Sequence, residues 1–338
     1  MALGGFRSLA GLCALAMAAP LAAHQTETPD DSEQRAKAGT KIVLLGTGGG
    51  PRLRVDRAQP ANLLVVEGTP YLIDCGEGCV TQLRKSGHDP AALGAVFLTH
   101  LHLDHSAGTA SLGAFRWTLG AQDVLSVFGP PGTAKFLDAG MEYLSLPGSV
   151  HATEVRGMGS MKNVIRAQDL SVDSKGAVEI YRDGRVRVQA VNNSHFYHLA
   201  KVDAGFGAIR SYSYRIDTSD RSVVFTGDTG PSKALERLAK NTDVLVTEVM
   251  DVDGIMAQFE ERGGFTAAQL LMIEKQMRAK HLTPEEVAKL ATAANVKTVL
   301  LTHFTTPDGD KAAVAQITAR VRAGFDGEVI AGEDLQAF

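Results

Sequence analysis

The stretch FLTHLHLDHSAG, residues 97–108, crowds His100, His102, Asp104 and His105 into six positions directly after an apolar run. The run AVFLTH reads as a buried strand, because it is short, apolar and β-branched or aromatic in character. His100 and His102 stand two apart at the end of that strand, so both side chains project to one side. If the chain turns after Leu103, Asp104 and His105 aim at a neighbouring point. One ion would need more ligands than one strand end supplies. Two adjacent ions account for the pattern better, with His100 and His102 on one and Asp104 and His105 on the other. Imidazole and carboxylate are donors that zinc accepts, so two divalent ions are expected, Zn2+ first, with Mn2+ or iron as alternatives.

The missing ligands should come from other strand ends. NNSHFYH follows a strand and offers His195 or His198, of which His195 is preferred because it is nearer the strand end. VVFTGDTG ends an apolar run with Asp228 in a glycine turn, where a carboxylate can bridge two cations. VLLTHF ends another strand with His303. The expected sets are His100/His102/His195 and Asp104/His105/His303, with Asp228 shared.

Around these positions the chain alternates strand and helix patterns, which implies a layered α/β protein in one large domain, residues 41–338. KIVLLG, NLLVVEG, YLIDCG, LSVFG, AVEIYR, VRVQAVNN, RSYSYRID, SVVFTGD, DVLVTEV, VKTVLLTH and GEVIAG read as strands. Helices are expected at about 77–86, 106–120, 264–279, 284–294 and 308–323. Thr283 before Pro284 is a helix-capping pair. Residues 150–172 show little periodicity and read as a long surface excursion, a flap over the active site. GTGGGP, residues 46–51, lacks the ending of a phosphate-binding P-loop and reads as a loop on the rim of the metal site.

Residues 1–23 carry Arg7, then an apolar stretch too short to span a bilayer comfortably, then small residues, and read as a cleaved secretory signal. Residues 24–40 are polar and read as a disordered leader. The protein is therefore expected to be secreted or periplasmic, with no stable membrane anchor after cleavage. Cys75 and Cys79 could pair in such a compartment, but two buried thiols are the preferred reading. The formal charge of −4, with no basic tract, does not suggest a bulk electrostatic grip on nucleic acid.

These residues resemble the metallo-β-lactamase fold hydrolases. THLHLDH matches the HxHxDH motif of that superfamily, and FTGDT and LTHF match later motifs. The resemblance covers roughly residues 41–335 and implies an αββα sandwich of two mixed β-sheets flanked by helices, with the site along one edge of both sheets. LLGTGGGPRL, LIDCGEGCVTQL and KHLTPEEVAKLA are similar to ribonuclease Z and its arylsulfatase-like and phosphodiesterase-like relatives. That branch implies a leaving-group histidine at His281 partnered by Glu248, so the catalytic set is Asp104, His281 and Glu248. It also implies that Asp74 holds a ligating histidine in place. Many relatives are dimers, so the resemblance allows a homodimer.

The expected activity is metal-activated attack of water on a phosphodiester or sulfate ester of a small molecule. Ser106 and Ser194 read as turn or cap residues. A secreted location, and an excursion at 150–172 with Arg156, Lys162 and Arg166 but no basic arm, leave nucleic acid as a partner that is not expected. A lactonase or β-lactamase-type hydrolase is the enzymatic alternative, and a metal-binding scaffold without turnover is the other.

Overall fold

The computed structural model describes residues 39–338, apart from residues 156, 173–175, 200, 201, 203, 204, 206 and 308–310. The signal expected at residues 1–23 lies outside the described residues, as does the leader except for its last two positions. Of those, Thr40 is buried and opens the first strand, where its N–H donates to Asp220 Oδ2 at 2.9 Å, so the folded domain begins before residue 41. Among the described residues no helix is long and apolar enough to cross a membrane.

Two mixed sheets carry the fold. The first runs in sequence order: β1 (Thr40–Gly46), β2 (Ala61–Val66), β3 (Thr69–Ile73), β4 (Ala95–Phe97), β5 (Leu125–Gly129) and β6 (Ile165–Asp169). β1 to β3 are antiparallel neighbours, and β3 to β6 are parallel. The second holds β7 (Val178–Arg182), β8 (Arg187–Asn192), β9 (Tyr212–Asp217), β10 (Ser222–Phe225), β11 (Val244–Met250), β12 (Thr298–Thr305) and β13 (Glu328–Ala331). β7 to β10 are antiparallel, and β10 to β13 are parallel.

The faces of the strands sort their residues into three layers. Ile42, Leu64, Ile73 and Phe97 of the first sheet meet Val188, Tyr214, Phe225 and Leu300 of the second in one core. Phe97 stacks on Phe128 with centroids 5.6 Å apart, and truncating such a buried ring costs about 3–5 kcal/mol. The outer face of the first sheet packs on helices through Leu83, Leu112, Leu137 and Met141. The outer face of the second packs on Leu235, Val287, Ile317 and Val321. Both sheets are thus buried on both faces, which is why their strands read as continuous apolar runs. This is the expected αββα sandwich.

Three expectations need correction. Residues 150–172 are not a surface flap. They contain the end of the helix Ser145–Glu154 and then β6, which pairs in parallel with β5. β6 is an edge strand with three polar residues, so only Ile165 of its length is buried and its apolar signal is weak. Lys162 pairs with Glu142, and Arg166 is exposed; Arg156 lies outside the described residues. Second, Cys75 and Cys79 are joined in a disulfide rather than left as thiols. The chain folds back after β3, so the start of the helix Cys79–Lys85 returns to within 5.3 Å of Cys75 between Cα atoms, a separation a disulfide spans. Third, the helices Thr133–Tyr143, Ser145–Glu154, Lys233–Leu238 and Val252–Arg262 were not expected from the sequence, and the last packs against the helix Ala267–Lys280 beside β11.

Candidate metal centre

The parallel strands β3, β4, β10, β11 and β12 end on one edge of the sandwich, and the segments after them carry the cluster. In layered α/β proteins, ligands gather at the carboxyl ends of such strands. Asp74 follows β3, His100 to His105 follow β4, Asp228 follows β10, and Glu248 and His303 lie near the ends of β11 and β12. His195 follows the antiparallel strand β8 onto the same edge.

The backbone is bent to aim these groups. β11 and β12 pair regularly up to Thr247 opposite Leu301 and resume at Val249 opposite Phe304. Glu248 therefore faces two residues, Thr302 and His303, and this bulge turns both functional side chains towards the site. His303 has φ of 45° and Asp74 has φ of 60°, both in the left-handed region that non-glycine residues avoid. Each such residue stores about 1–3 kcal/mol of strain, which neighbouring bonds must offset. At Asp74 they are visible: Oδ1 accepts from the Thr99 N–H at 2.7 Å, and the Thr99 hydroxyl reaches both carboxylate oxygens.

The donor atoms form two main groups, each within 4.8 Å across: His100, His102, His195 and Asp228, and Asp104, His105 and His303; Glu248 also comes within that distance of Asp228 and His303. His102 Nδ1 lies 3.0 Å from His100 Nε2 and 3.5 Å from His195 Nε2. Asp228 Oδ2 turns to this first group, 3.9 Å from His100 Nε2. Asp228 Oδ1 turns to the second, 3.2 Å from His105 Nε2 and 3.1 Å from His303 Nε2. Asp104 Oδ2 closes that group at 3.4 and 3.5 Å from the same two nitrogens. His198 is exposed and belongs to neither group. Ser106 donates to the His102 carbonyl, and the Ser194 hydroxyl lies 3.2 Å from that of Thr229, so both serve local structure.

These residues fit divalent ions. His105 Nε2, His303 Nε2 and Asp228 Oδ1 are buried and close together, yet none makes a well-directed hydrogen bond. They point at common centres rather than at each other, as ligands do. The outer nitrogens are engaged so that the inner ones keep a lone pair: His105 Nδ1–H donates to Asp74 at 2.8 Å, and His195 Nδ1–H to the Lys280 carbonyl at 3.0 Å. His100 Nδ1 lies 3.0 Å from the Thr99 hydroxyl. Such outer bonds fix the tautomer and orientation of a ligating imidazole.

The electrostatics agree. Burial, helped by His105, holds His100 well below the ordinary histidine range, and burial takes His195 down to about 3 despite Asp228. Burial would raise Asp228, but His303 and His105 outweigh it and hold its carboxyl well below the usual range. Neutral imidazole and ionised carboxylate are the forms that bind metal. At His105 burial opposes the proton, but Asp228, Asp74 and Asp104 outweigh burial and push it up; Asp228 does the same at His303. The second group therefore demands positive charge, which a cation supplies in place of protons.

His281 caps the C-terminus of the helix Ala267–Lys280, and its Nδ1–H donates to Glu248 Oε2 at 2.7 Å. Glu248 Oε1 accepts from the Thr229 N–H. Thr283 caps the following helix, as expected, by accepting from the Glu286 N–H. The glycine loop lies against the cluster: Gly48 bridges to Phe304, and the Gly50 N–H donates to Asp104 Oδ2 at 3.1 Å. A Cβ on Gly50 would sit 2.2 Å from that oxygen, so only glycine fits. The Thr99 hydroxyl, the Lys280 carbonyl and the Gly50 N–H went unrecognised in the sequence. For Thr99 the signal was present in its place beside His100; for the two backbone groups there was none.

Comparison with known proteins agrees with this geometry. The family profile described as a β-lactamase superfamily domain matches residues 69–304. The ribonuclease Z of Mycobacterium marinum is 30% identical over 298 residues, covering 87% of this chain and 96% of that protein. The metallo-β-lactamase fold protein YhfI from Bacillus subtilis superposes with a TM-score of 0.61 at 20% identity, covering 88% of this chain and 98% of that one. Human tRNase Z, short form, superposes with a TM-score of 0.60 at 21% identity and the same coverage. The expectation that nucleic acid is not a partner is overturned by the ribonuclease Z relatives, which align along nearly their whole length. That expectation rested on a secreted location and on the lack of a basic arm at residues 150–172; the average charge of the chain left a local basic groove open. On the profile match and the near full-length relatives, the chain belongs to the β-lactamase superfamily, in its metallo-β-lactamase fold.

Proposed function

We propose that this chain is a metal-dependent hydrolase of phosphodiester bonds, similar in reaction to ribonuclease Z, with an RNA strand as the first candidate substrate. The observation that carries the reading is Asp228, whose two oxygens face two separate donor groups beside the His281–Glu248 pair. His100, His102 and His195 would hold one ion, Asp104, His105 and His303 the other, and Asp228 both. When bound, such an ion pair supplies Lewis acidity, activating water and neutralising charge on the phosphoryl oxygens.

The chain's own groups do the rest. The Gly50 N–H donates to Asp104 and restricts its rotamer, and Asp74 holds His105. Glu248 engages His281 Nδ1, which leaves Nε2 as the nitrogen that hands a proton to the departing alcohol oxygen. Burial raises Glu248 while His281 opposes it, and Glu248 in turn outweighs burial at His281 to keep the imidazole protonated. A protonated imidazole beside the leaving oxygen is the general acid this reaction needs.

Zinc-loaded protein should be compared on an oligoribonucleotide, an aryl phosphodiester, an aryl sulfate, a lactone and a β-lactam, with Asp228→Asn as the blank. A preference for the two phosphodiesters by kcat/KM is expected. A preference for sulfate, lactone or lactam would refute the reading. The apolar leader expected at residues 1–23 and the Cys75–Cys79 bridge support export from the cytoplasm, and mass spectrometry of the mature N-terminus tests that proposal.

A further inference from the structure

Beside the second donor group lies a cavity of about 430 Å³, bounded by the glycine loop, His281 and the helix pair. Its apolar wall is Met250, Ile255, Phe259, Ile273 and Met277. Ile273 and Met277 are one turn apart on the helix Ala267–Lys280 and so form one strip of its surface. That helix has no fully buried residue; Leu270, Ile273 and Met277 pack partly buried on the helix Val252–Arg262, and Ile273 and Met277 also face the cavity. Its end is tied to the site three ways: the Lys280 carbonyl accepts from His195, His281 donates to Glu248, and the Lys280 side chain lines the cavity.

The charged groups on the cavity are all of one sign. Arg52, Arg54 and Lys280 line it, and among the described residues no Asp or Glu does, in a chain of net charge −4. Arg54 is anchored to the Thr306 hydroxyl and carbonyl at 2.9 and 2.8 Å, which makes it part of the wall. Arg52 and Lys280 stand at the rim. A second, smaller cavity of about 210 Å³ flanks the first donor group, next to His102, and is lined by Leu101, Pro131, Phe196 and Leu199, with Arg210 as its one arginine or lysine. The site thus lies between a large chamber with three cationic side chains on the His281 side and a small, mostly apolar one with Arg210 on the His102 side.

We infer that the large cavity receives the leaving alcohol of the ester, and that it selects an alcohol with a flat apolar body and a second anionic group. The assignment of sides rests on the phosphodiesterase reading above. In hydrolysis the bond from phosphorus to the leaving oxygen breaks, water oxygen forms the new bond to phosphorus, and the leaving oxygen gains a proton. His281 is on the large cavity's wall, so the oxygen it protonates lies there. Phe259 and Met277 both line the cavity, and aromatic and thioether groups pack well on the face of a flat ring. The second anion meets Arg52 and Lys280. A nucleotide on the leaving side has both features, and stacking with cationic contact is how single strands are held without reading sequence.

Two experiments on the full-length protein test this. In the first, metal-free protein is titrated calorimetrically with 1-naphthyl phosphate, 1-naphthol and inorganic phosphate. Naphthyl phosphate should bind at least about tenfold more tightly than either fragment, the equivalent of about 1.4 kcal/mol. Phe259→Ala should weaken it by a similar factor, and Lys280→Gln should remove its advantage over naphthol. In the second, zinc-loaded protein hydrolyses bis(4-nitrophenyl) phosphate and methyl 4-nitrophenyl phosphate, which share a leaving group and differ in the other arm. Phe259→Ala should raise KM equally for both. Leu199→Ala, in the small cavity, should raise KM only for the bis-aryl ester.

If Phe259→Ala affects only the bis-aryl ester, the large cavity holds the arm that stays, and the inference is overturned. Equal binding of naphthyl phosphate and naphthol to wild type would also overturn it. If zinc-loaded protein cleaves neither diester, the proposed function fails, and the calorimetry on metal-free protein still decides the cavity's ligand class. Should Phe259→Ala fold poorly, Lys280→Gln, a change at the cavity rim, decides the anionic part alone.

Discussion

Glu248→Gln isolates the contribution of the carboxylate behind His281. The substitution keeps the side chain's shape, but its one carbonyl oxygen can accept from His281 Nδ1–H only by giving up the Thr229 N–H, so the charged acceptor 2.7 Å from His281 Nδ1 becomes at best a neutral one. A hydrogen bond to a charged group contributes about 1.5–3 kcal/mol and a neutral one about 1 kcal/mol. The loss of about 1–2 kcal/mol falls on the protonated imidazole and should slow proton donation roughly 5- to 30-fold. It should act only where the leaving oxygen needs a proton. A phosphodiester with an alkyl leaving group should therefore lose that factor in kcat, while a 4-nitrophenyl ester, whose phenolate departs unaided, should lose less than about threefold. Steady-state kinetics on the two esters, with metal content checked for each preparation, reads the difference. Equal loss on both would show that Glu248 shapes the site as a whole, and the leaving-group role of His281 would have to be given up.

Three other perturbations probe separate parts of the molecule. Asp228 is the only carboxylate in the His100/His102/His195 group, whereas the second group keeps Asp104, so Asp228→Asn should weaken zinc at the first by about 10²–10³-fold and Asp104→Asn should leave that ion in place. Metal analysis after dialysis against buffered zinc should give one ion per chain for Asp228→Asn and two for Asp104→Asn at saturation. Gly50→Ala puts a methyl group 2.2 Å from Asp104 Oδ2 and should cost about 1–3 kcal/mol and most of the activity, while Gly184→Ala, with open space around it, should stay within about 0.5 kcal/mol in denaturant titration. Asp243 has its carboxyl lowered to about 2 against burial, by Lys297 at 2.6 Å and by the Ser222 N–H and hydroxyl. Because its folded value is depressed, its contribution is present above about pH 4 and fades as the pH falls towards 2. Screening at this partly exposed pair reduces the contribution to about 1 kcal/mol, so wild type and Asp243→Asn should differ by that much at pH 6 and converge near pH 2.

The donor set was legible because each ligand ends an apolar strand, and the carboxyl ends of parallel strands share one edge. The strand is read from its apolar run, the ligand from the polar residue at its end, and the convergence from the layered topology. β6 and the Cys75–Cys79 bridge were not legible for opposite reasons. β6 is an edge strand whose stability comes from pairing with β5, not from an apolar face of its own. The bridge depends on how tightly the turn after β3 closes, and residue spacing does not report that. The helix Val252–Arg262 has an apolar face that meets a second helix rather than a sheet, so its buried residues are few and scattered in sequence. The same helix pair carries the instructive error about nucleic acid. Arg52 and Arg54 are two residues apart but Lys280 is more than 200 residues further on, and two arginines are too few for a search for a basic tract to find. Folding brings them to one cavity that no acidic residue among those described lines, while the acids that set the net charge are spent at the metal donors and on the outer surface. An ester substrate meets the charge of that cavity, not the sum over the chain, so an acidic protein is no obstacle to an anionic strand.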